Sequence, residues 1–124
     1  MTVQELYERI GGNYDSAKRV MMMDKFISKY VVKLLDDGSY ERLMSAASVG
    51  DETGMFEGAH AMKGVCANLG LDSLSAAASA IAEEFRPGNV RTMDQTALDA
   101  RLQALKAQYD RTVDGIRQYA AEQA

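Results

Sequence analysis

The strongest constraint on the fold is the spacing of apolar residues, which recur every three or four positions along most of the chain. This spacing is typical of one face of an α-helix. One such stripe runs through residues 71–85 and another through residues 98–120, and the single proline, Pro87, separates them. Proline stops a helix because it lacks the backbone N–H. No stretch shows the strict alternation that is typical of a strand. The pattern therefore predicts an all-α protein.

The breaks between these stripes predict an antiparallel four-helix bundle with one or two additional short helices. The predicted helices span residues 2–10, 16–36, 40–48, 51–69, 71–85 and 93–121. The first is a short N-terminal helix, and the bundle core runs from about residue 15 to residue 121. Thr92 and Gln95 form a capping-box pattern at the start of the last helix. A chain of 124 residues is expected to be a single domain, residues 1–124.

The predicted second helix, residues 16–36, carries apolar residues at helical spacing. We expect one buried face there, made of Val20, Met23, Ile27, Tyr30, Leu34 and Leu35. The lysines of this stretch fall mostly elsewhere and indicate a solvated face.

Charge and composition exclude several classes of function. The net charge is −4 and no basic patch is visible, so nucleic acid is not an expected partner. No run of 18 to 20 apolar residues predicts a membrane span, and the N-terminus does not resemble a secretory signal. The single cysteine, Cys66, fits a reducing compartment. We therefore expect a cytoplasmic protein, and since nothing demands a dimer, a monomer.

The residue inventory also argues against a cofactor of the chain's own. One histidine and one cysteine cannot supply the ligands of a zinc site. No Walker-type loop is present, so an ATP site finds no support. A di-iron carboxylate bundle needs Glu-x-x-His pairs on facing helices. The only such pair, Glu57 and His60, occurs once and is expected to point outward. We therefore predict no bound cofactor and no metal.

The only histidine, His60, lies in residues 58–70, GAHAMKGVCANLG. At 100° per residue, the apolar residues of this helix gather on the side away from His60. They are Met55, Ala59, Met62, Cys66 and Leu69. We expect His60 to point outward, with Lys63 and Gly64 one turn further along. The cysteine on the inner side is interpreted as a small apolar filler.

The surface around His60 is interpreted as a docking face. Phe56, Glu57 and Ala67 flank His60 within two turns and are the candidate partner-binding residues. For Phe56 two interpretations remain open, a contact with a partner or packing against the neighbouring helix.

The pattern His60-x-x-Lys63-Gly64-x-x-x-Asn68-Leu69-Gly70 resembles the histidine-containing phosphotransfer (HPt) domain of multistep phosphorelays. The order of helices from about residue 15 to residue 119 is similar to the family's. The resemblance implies a phosphorelay intermediate that accepts and donates a phosphoryl group on His60. It also implies exchange with receiver-domain aspartates of response regulators or hybrid histidine kinases, whose acidic pocket brings Mg²⁺. The chain would then be a carrier without an ATP-dependent kinase site.

The chemistry of these residue types supports the resemblance. An unperturbed histidine is largely neutral at cytosolic pH, so a ring nitrogen keeps its lone pair for attack on phosphorus. Lys63 can place its ammonium group against the phosphoryl oxygens. Gly64 removes the side chain that would lie over the imidazole, at a cost of roughly 0.5–1 kcal/mol of helix stability relative to alanine. Some relatives carry a longer polar side chain on the following helix, whereas residues 75–82 offer only Ser75 and Ser79.

Two other functions remain open at this stage. The chain could be a non-catalytic helical-bundle interaction protein that binds a receiver or kinase without being phosphorylated. It could also be the phosphotransfer module of a chemotaxis-type histidine kinase. The presence of His60 argues against a purely binding module, which has no need of an imidazole at that position.

Overall fold

The computed structural model describes residues 1–123, and these residues form helices and no strand, which confirms the predicted all-α class. Seven α-helices and one 3₁₀ turn follow each other along the chain. They are α1 (Val3–Ile10), α2 (Tyr14–Met21), α3 (Asp24–Lys33), the 3₁₀ turn (Leu34–Asp36), α4 (Ser39–Val49), α5 (Glu52–Asn68), α6 (Asp72–Phe85) and α7 (Gln95–Gln123). Within residues 1–123, no helix is both long enough and apolar enough to cross a membrane.

Helix α5 lies at the centre of the bundle and packs most extensively against α6 and α4. The longest helix, α7, packs against α1, α3, α6 and the 3₁₀ turn. The innermost apolar side chains come from α1 and from every helix from α3 to α7. They include Ile27, Leu43, Met62, Leu74, Ile81, Leu105 and Ile116, each at most 2% exposed. Burial of each contributes on the order of 1.5–3 kcal/mol, so one shared core holds these helices together.

The prediction of one helix over residues 16–36 is wrong, because the chain breaks at Met22 and Met23 between α2 and α3. Met22 has a positive φ of 72°, which is rare for a residue with a side chain, and ends α2. The carboxylate of Asp24 then accepts hydrogen bonds from Tyr14 and, at 2.9 Å, from Lys18, which ties the two helices together across the break. A run of methionines contains none of the usual helix-ending residues, so the sequence carries no signal for this break.

The break changes which residues of this segment are buried. Val20, Met23 and Tyr30, predicted to be buried, are 55%, 47% and 43% exposed. Ile27 and Leu34 are buried as predicted, and Leu35 is partly buried. The apolar spacing correctly indicated helical structure in this segment, but the buried face was assigned as if one helix ran through it.

The turn after α5 is held by the first part of the chain. The buried hydroxyl of Tyr7 donates a hydrogen bond of 2.6 Å to the carbonyl of Leu69. The backbone N–H of Asn13 donates one of 2.7 Å to the carbonyl of Gly70. Gly70 has φ of 69°, and a Cβ atom there would lie 2.5 Å from the carbonyl oxygen of Asn13. Only glycine fits this turn, which fixes the C-terminal end of α5.

The connection from α6 to α7 is anchored by a buried carboxylate that the sequence analysis missed. Glu84 accepts hydrogen bonds from the backbone N–H groups of Thr92 and Met93, at 2.6 and 2.7 Å, and from the Thr92 hydroxyl at 3.0 Å. These bonds, led by that from Met93, hold the pKa of the Glu84 carboxyl below its usual value. Thr92 therefore does not cap α7. Instead, Asp94 accepts a hydrogen bond of 2.8 Å from the backbone N–H of Ala97.

Gly58 allows close contact between α4 and α5. A Cβ atom at Gly58 would lie 2.7 Å from the backbone nitrogen and 2.9 Å from the Cα of Leu43. We expect Gly58→Ala to lower the free energy of unfolding by about 1–3 kcal/mol, because two backbones must separate and alanine's helix propensity offsets only part of that cost. Urea denaturation measures this change. Stability equal to that of the wild type would show that the helices can move apart at no cost.

Candidate functional site

His60 lies at the midpoint of α5 with its side chain exposed to solvent. The opposite side of α5 is buried, with Met55, Ala59, Met62 and Cys66 in the core. This is the orientation that the helical spacing predicts. No hydrogen bond to the His60 ring occurs among residues 1–123, so both ring nitrogens face solvent or a partner.

Phe56, one turn before His60, is half-buried and in contact with the imidazole. The two ring centroids are 5.4 Å apart and the ring planes differ by 20°, which is a stacked arrangement. The guanidinium carbon of Arg86 lies 5.5 Å from the centre of the Phe56 ring. A cation over an aromatic face at this distance is attracted to it. Phe56 thus lies between the histidine and a cation from the end of α6.

Lys63 is partly exposed and follows His60 by one turn on the flank that faces α6. The hydroxyl of Ser75 donates a hydrogen bond of 2.9 Å to the Lys63 carbonyl. Ser75 was one of two candidates on α6 for approaching the imidazole, and the structure shows it bound to the backbone of α5 instead. The backbone at Lys63 is thus held in place, and within residues 1–123 its ammonium group forms no salt bridge, so it can reach a group on His60.

Gly64 leaves open space above the surface of α5, one turn after His60. A Cβ atom at Gly64 would have no heavy atom within 4 Å. Gly58 on the buried side of the same helix is, in contrast, required for packing. Ala67 and Asn68 are exposed further along. The surface from His60 to the end of α5 therefore carries few large side chains and is accessible to a partner.

Glu57, predicted to contact a partner, forms a salt bridge with Arg42 of α4. Both side chains are about half exposed. An exposed pair of this kind contributes about 0–1 kcal/mol, so a partner can displace it at little cost. Glu57 thus lies between α4 and the exposed residues around His60.

The sequence analysis missed Glu83 and Arg86 on α6 and just after it. Arg86 donates to both carboxylate oxygens of Glu83, with the shortest contact at 2.6 Å. These hydrogen bonds are the main cause of the lowered pKa of Glu83, and smaller effects come from Lys63 and His60 nearby. The stretch considered for polar side chains near His60, residues 75–82, stops one position before Glu83. Following the helical spacing from Ser75 through Ser79 would have reached both residues.

The described residues do not suggest a metal site. Among residues 1–123, no group of three or more histidine, cysteine, aspartate or glutamate side chains could hold a metal ion. Cys66 is buried, and burial raises the pKa of its thiol to about 12. The thiol therefore stays protonated at neutral pH and acts as apolar filler in the core.

The arrangement suits nucleophilic chemistry that is completed by a second molecule. An exposed imidazole can attack an electrophile, Lys63 can neutralise negative charge next to it, and the open turn at Gly64 gives a partner room to approach. A family model described as the Hpt domain matches residues 37–115, more than half of the chain, and covers α4, α5, α6 and most of α7. Neither a curated protein nor a solved structure matches the chain.

Proposed function

Because this chain belongs to the Hpt domain family, whose members carry phosphoryl groups in phosphorelays, we propose that it is a phosphorelay intermediate and that His60 is its phosphoryl acceptor. The observation that supports this assignment best is the exposed imidazole with open space at Gly64 beside it. His60 is also the only histidine of the chain. Histidine phosphorylation in this protein therefore has a single possible position.

The proposed reaction is reversible transfer between His60 and the aspartate of a receiver domain. A ring nitrogen forms a bond to phosphorus while the bond from phosphorus to the aspartyl oxygen breaks, and the aspartate leaves as a carboxylate. The reverse step returns the phosphoryl group to an aspartate. Positioning and charge neutralisation supply most of the catalysis in such transfers. Lys63 neutralises charge from this chain, and the receiver supplies the acidic pocket and its Mg²⁺.

An exposed apolar area supports docking of a receiver domain beside His60. We call it the α2–α3 surface, and it consists of Val20, Met22, Met23, Phe26 and Tyr30, between 39% and 73% exposed. A groove of about 460 Å³ separates it from α5, and Val65 and Asn68 line the α5 side of that groove. Asn68 lies two turns after His60, so the groove continues the open surface at Gly64. Exposed apolar patches next to a functional site are typical of protein–protein interfaces.

Lysines surround this apolar area and give it a positive charge on an acidic protein. Lys25 lies 5.2 Å from the centre of the Phe26 ring, and Lys29 and Lys33 lie 5.6 and 5.3 Å from that of Tyr30. Such charges attract an acidic partner and increase its rate of association. A receiver domain, with carboxylates around its phosphorylated aspartate, fits this surface.

The experiment that tests the proposed function is incubation of the protein with a receiver domain carrying labelled aspartyl phosphate. We expect label to appear on this chain, and to be lost in acid and kept in base, as a phosphoramidate is. A non-catalytic interaction protein would form a complex with the receiver without taking label. A chemotaxis-type module would take label from an ATP-binding kinase domain and ATP, and not from the receiver.

Lys63→Ala is expected to slow transfer without changing stability. A hydrogen bond to a charged group contributes about 1.5–3 kcal/mol, so the rate should fall roughly 10- to 100-fold. Rapid-quench measurement of the labelled protein gives this rate. Lys106→Ala is the control, because Lys106 is an exposed lysine on a different helix, α7, where its salt bridge is with Asp110. Equal rates for the two variants would show that Lys63 does not act on the phosphoryl group.

A further inference from the structure

We propose that Phe56 positions the imidazole of His60 for phosphoryl transfer, and that Arg86 and Glu83 hold Phe56 in place. This inference rests on the proposed function and assigns a role to residues that lie outside the phosphoacceptor motif. The sequence left two interpretations of Phe56 open, a partner contact or a packing residue. The positioning role proposed here is a third interpretation.

The geometry that carries the inference is the contact between the two rings. With centroids 5.4 Å apart and planes 20° from parallel, the Phe56 ring stacks in an offset arrangement against one face of the imidazole. A ring stacked by its face keeps its edge free, and both nitrogens lie on the edge. The stack therefore limits rotation of the His60 side chain and leaves the attacking atom accessible.

Phe56 is itself held on two sides. It packs against the core as a partly buried side chain. On its ring lies the guanidinium of Arg86, whose carbon is 5.5 Å from the ring centre. Glu83 binds that guanidinium through both carboxylate oxygens, which fixes the plane of the arginine. Pairwise contacts thus link four side chains, from Glu83 to Arg86, from Arg86 to Phe56 and from Phe56 to His60.

These contacts affect the rate of phosphoryl transfer, because an exposed histidine on a helix otherwise samples several rotamers. Only the rotamers that aim a ring nitrogen at the incoming phosphorus lead to reaction. Restriction to such rotamers before the partner arrives removes an entropic cost from the reaction step. A positioning residue of this kind acts on kcat, whereas a residue that contacts the partner acts mainly on KM.

The test compares Phe56→Leu with Phe56→Tyr. Leucine keeps apolar packing and removes the aromatic face, while tyrosine keeps that face. His60 has the only imidazole signals in the proton NMR spectrum, so they need no further assignment. We expect the Phe56 ring to shift these signals upfield, and Phe56→Leu to abolish that shift. The same variant should lower kcat for transfer from a receiver roughly three- to ten-fold at unchanged KM. Phe56→Tyr should restore both properties.

The outcomes separate this inference from the proposed function. If the wild type takes no label from any phosphorylated receiver, the proposed function fails. If the wild type takes label and Phe56→Leu leaves kcat and the imidazole signals unchanged, the positioning role alone is wrong. A rise in KM at constant kcat would also overturn it, because that result identifies Phe56 as a partner contact. Arg86→Gln should change the imidazole signals in the same direction as Phe56→Leu, but by less.

Discussion

A His60→Gln variant should take no label from a phosphorylated receiver domain under conditions that label the wild type fully. Glutamine keeps a polar side chain of similar size, but its amide nitrogen is not nucleophilic. The chain has no second histidine to replace it. The expected loss is therefore complete, at least about 10³-fold in rate, the scale on which removal of a nucleophile acts. The measured quantity is the label that remains on the protein after base treatment and is lost after acid treatment.

Loss of label in the His60→Gln variant identifies the acceptor only if the variant is folded. His60 is exposed, and among residues 1–123 its side chain makes no hydrogen bond and has one ring contact, with Phe56. Surface substitutions at such positions usually change stability by no more than about 0.5 kcal/mol. Circular dichroism and urea denaturation should therefore match the wild type. Equal labelling of both proteins would falsify the assignment of His60 as the acceptor.

Gly64→Gln should reduce transfer roughly 100-fold, the size of effect that a small misplacement of reacting groups produces. A long side chain at this position projects over the surface one turn after the imidazole, where the structure leaves open space. Association with the receiver, measured by titration, should weaken at the same time. The free energy of unfolding should not fall, because glutamine is favoured over glycine inside a helix.

Gly64→Ala provides the matched control for this prediction. A Cβ atom alone meets no neighbour at Gly64, so alanine should raise the free energy of unfolding by about 0.5–1 kcal/mol. Transfer should be affected far less than in Gly64→Gln. Wild-type rates in Gly64→Gln would mean that the partner does not approach His60 over this turn of α5.

The fold class and the orientation of His60 could be predicted because both follow from helical spacing. The apolar positions of α5 repeat at intervals of three and four, and the opposite side of the helix must then face solvent. Gly70 follows α5 with φ of 69°, the left-handed conformation that glycine commonly adopts after a helix. Such features are local, since each depends on residues within a few turns of one another.

Features that depend on tertiary contacts could not be predicted. The break at Met22 has no local signal, and the exposure of Val20 and Tyr30 follows from it. Arg42 of α4 forms a salt bridge with Glu57 of α5. The spacing of residues within one helix does not predict contacts between two helices. Arg86 reaches Phe56 only because α5 and α6 run antiparallel in a particular register. The role of these residues depends on how the helices are aligned.

The position of His60 at the midpoint of α5 has a consequence for the energy of the phosphorylated state. The partial positive charge at a helix N-terminus stabilises anions only within the first turn. His60 lies two turns from either end of α5 (Glu52–Asn68), so a phosphoryl group there gains little from the helix dipole. A phosphoryl group that the helix dipole does not stabilise is transferred onward more readily. Phosphorylated His60 would therefore be a good donor, as well as His60 a good acceptor.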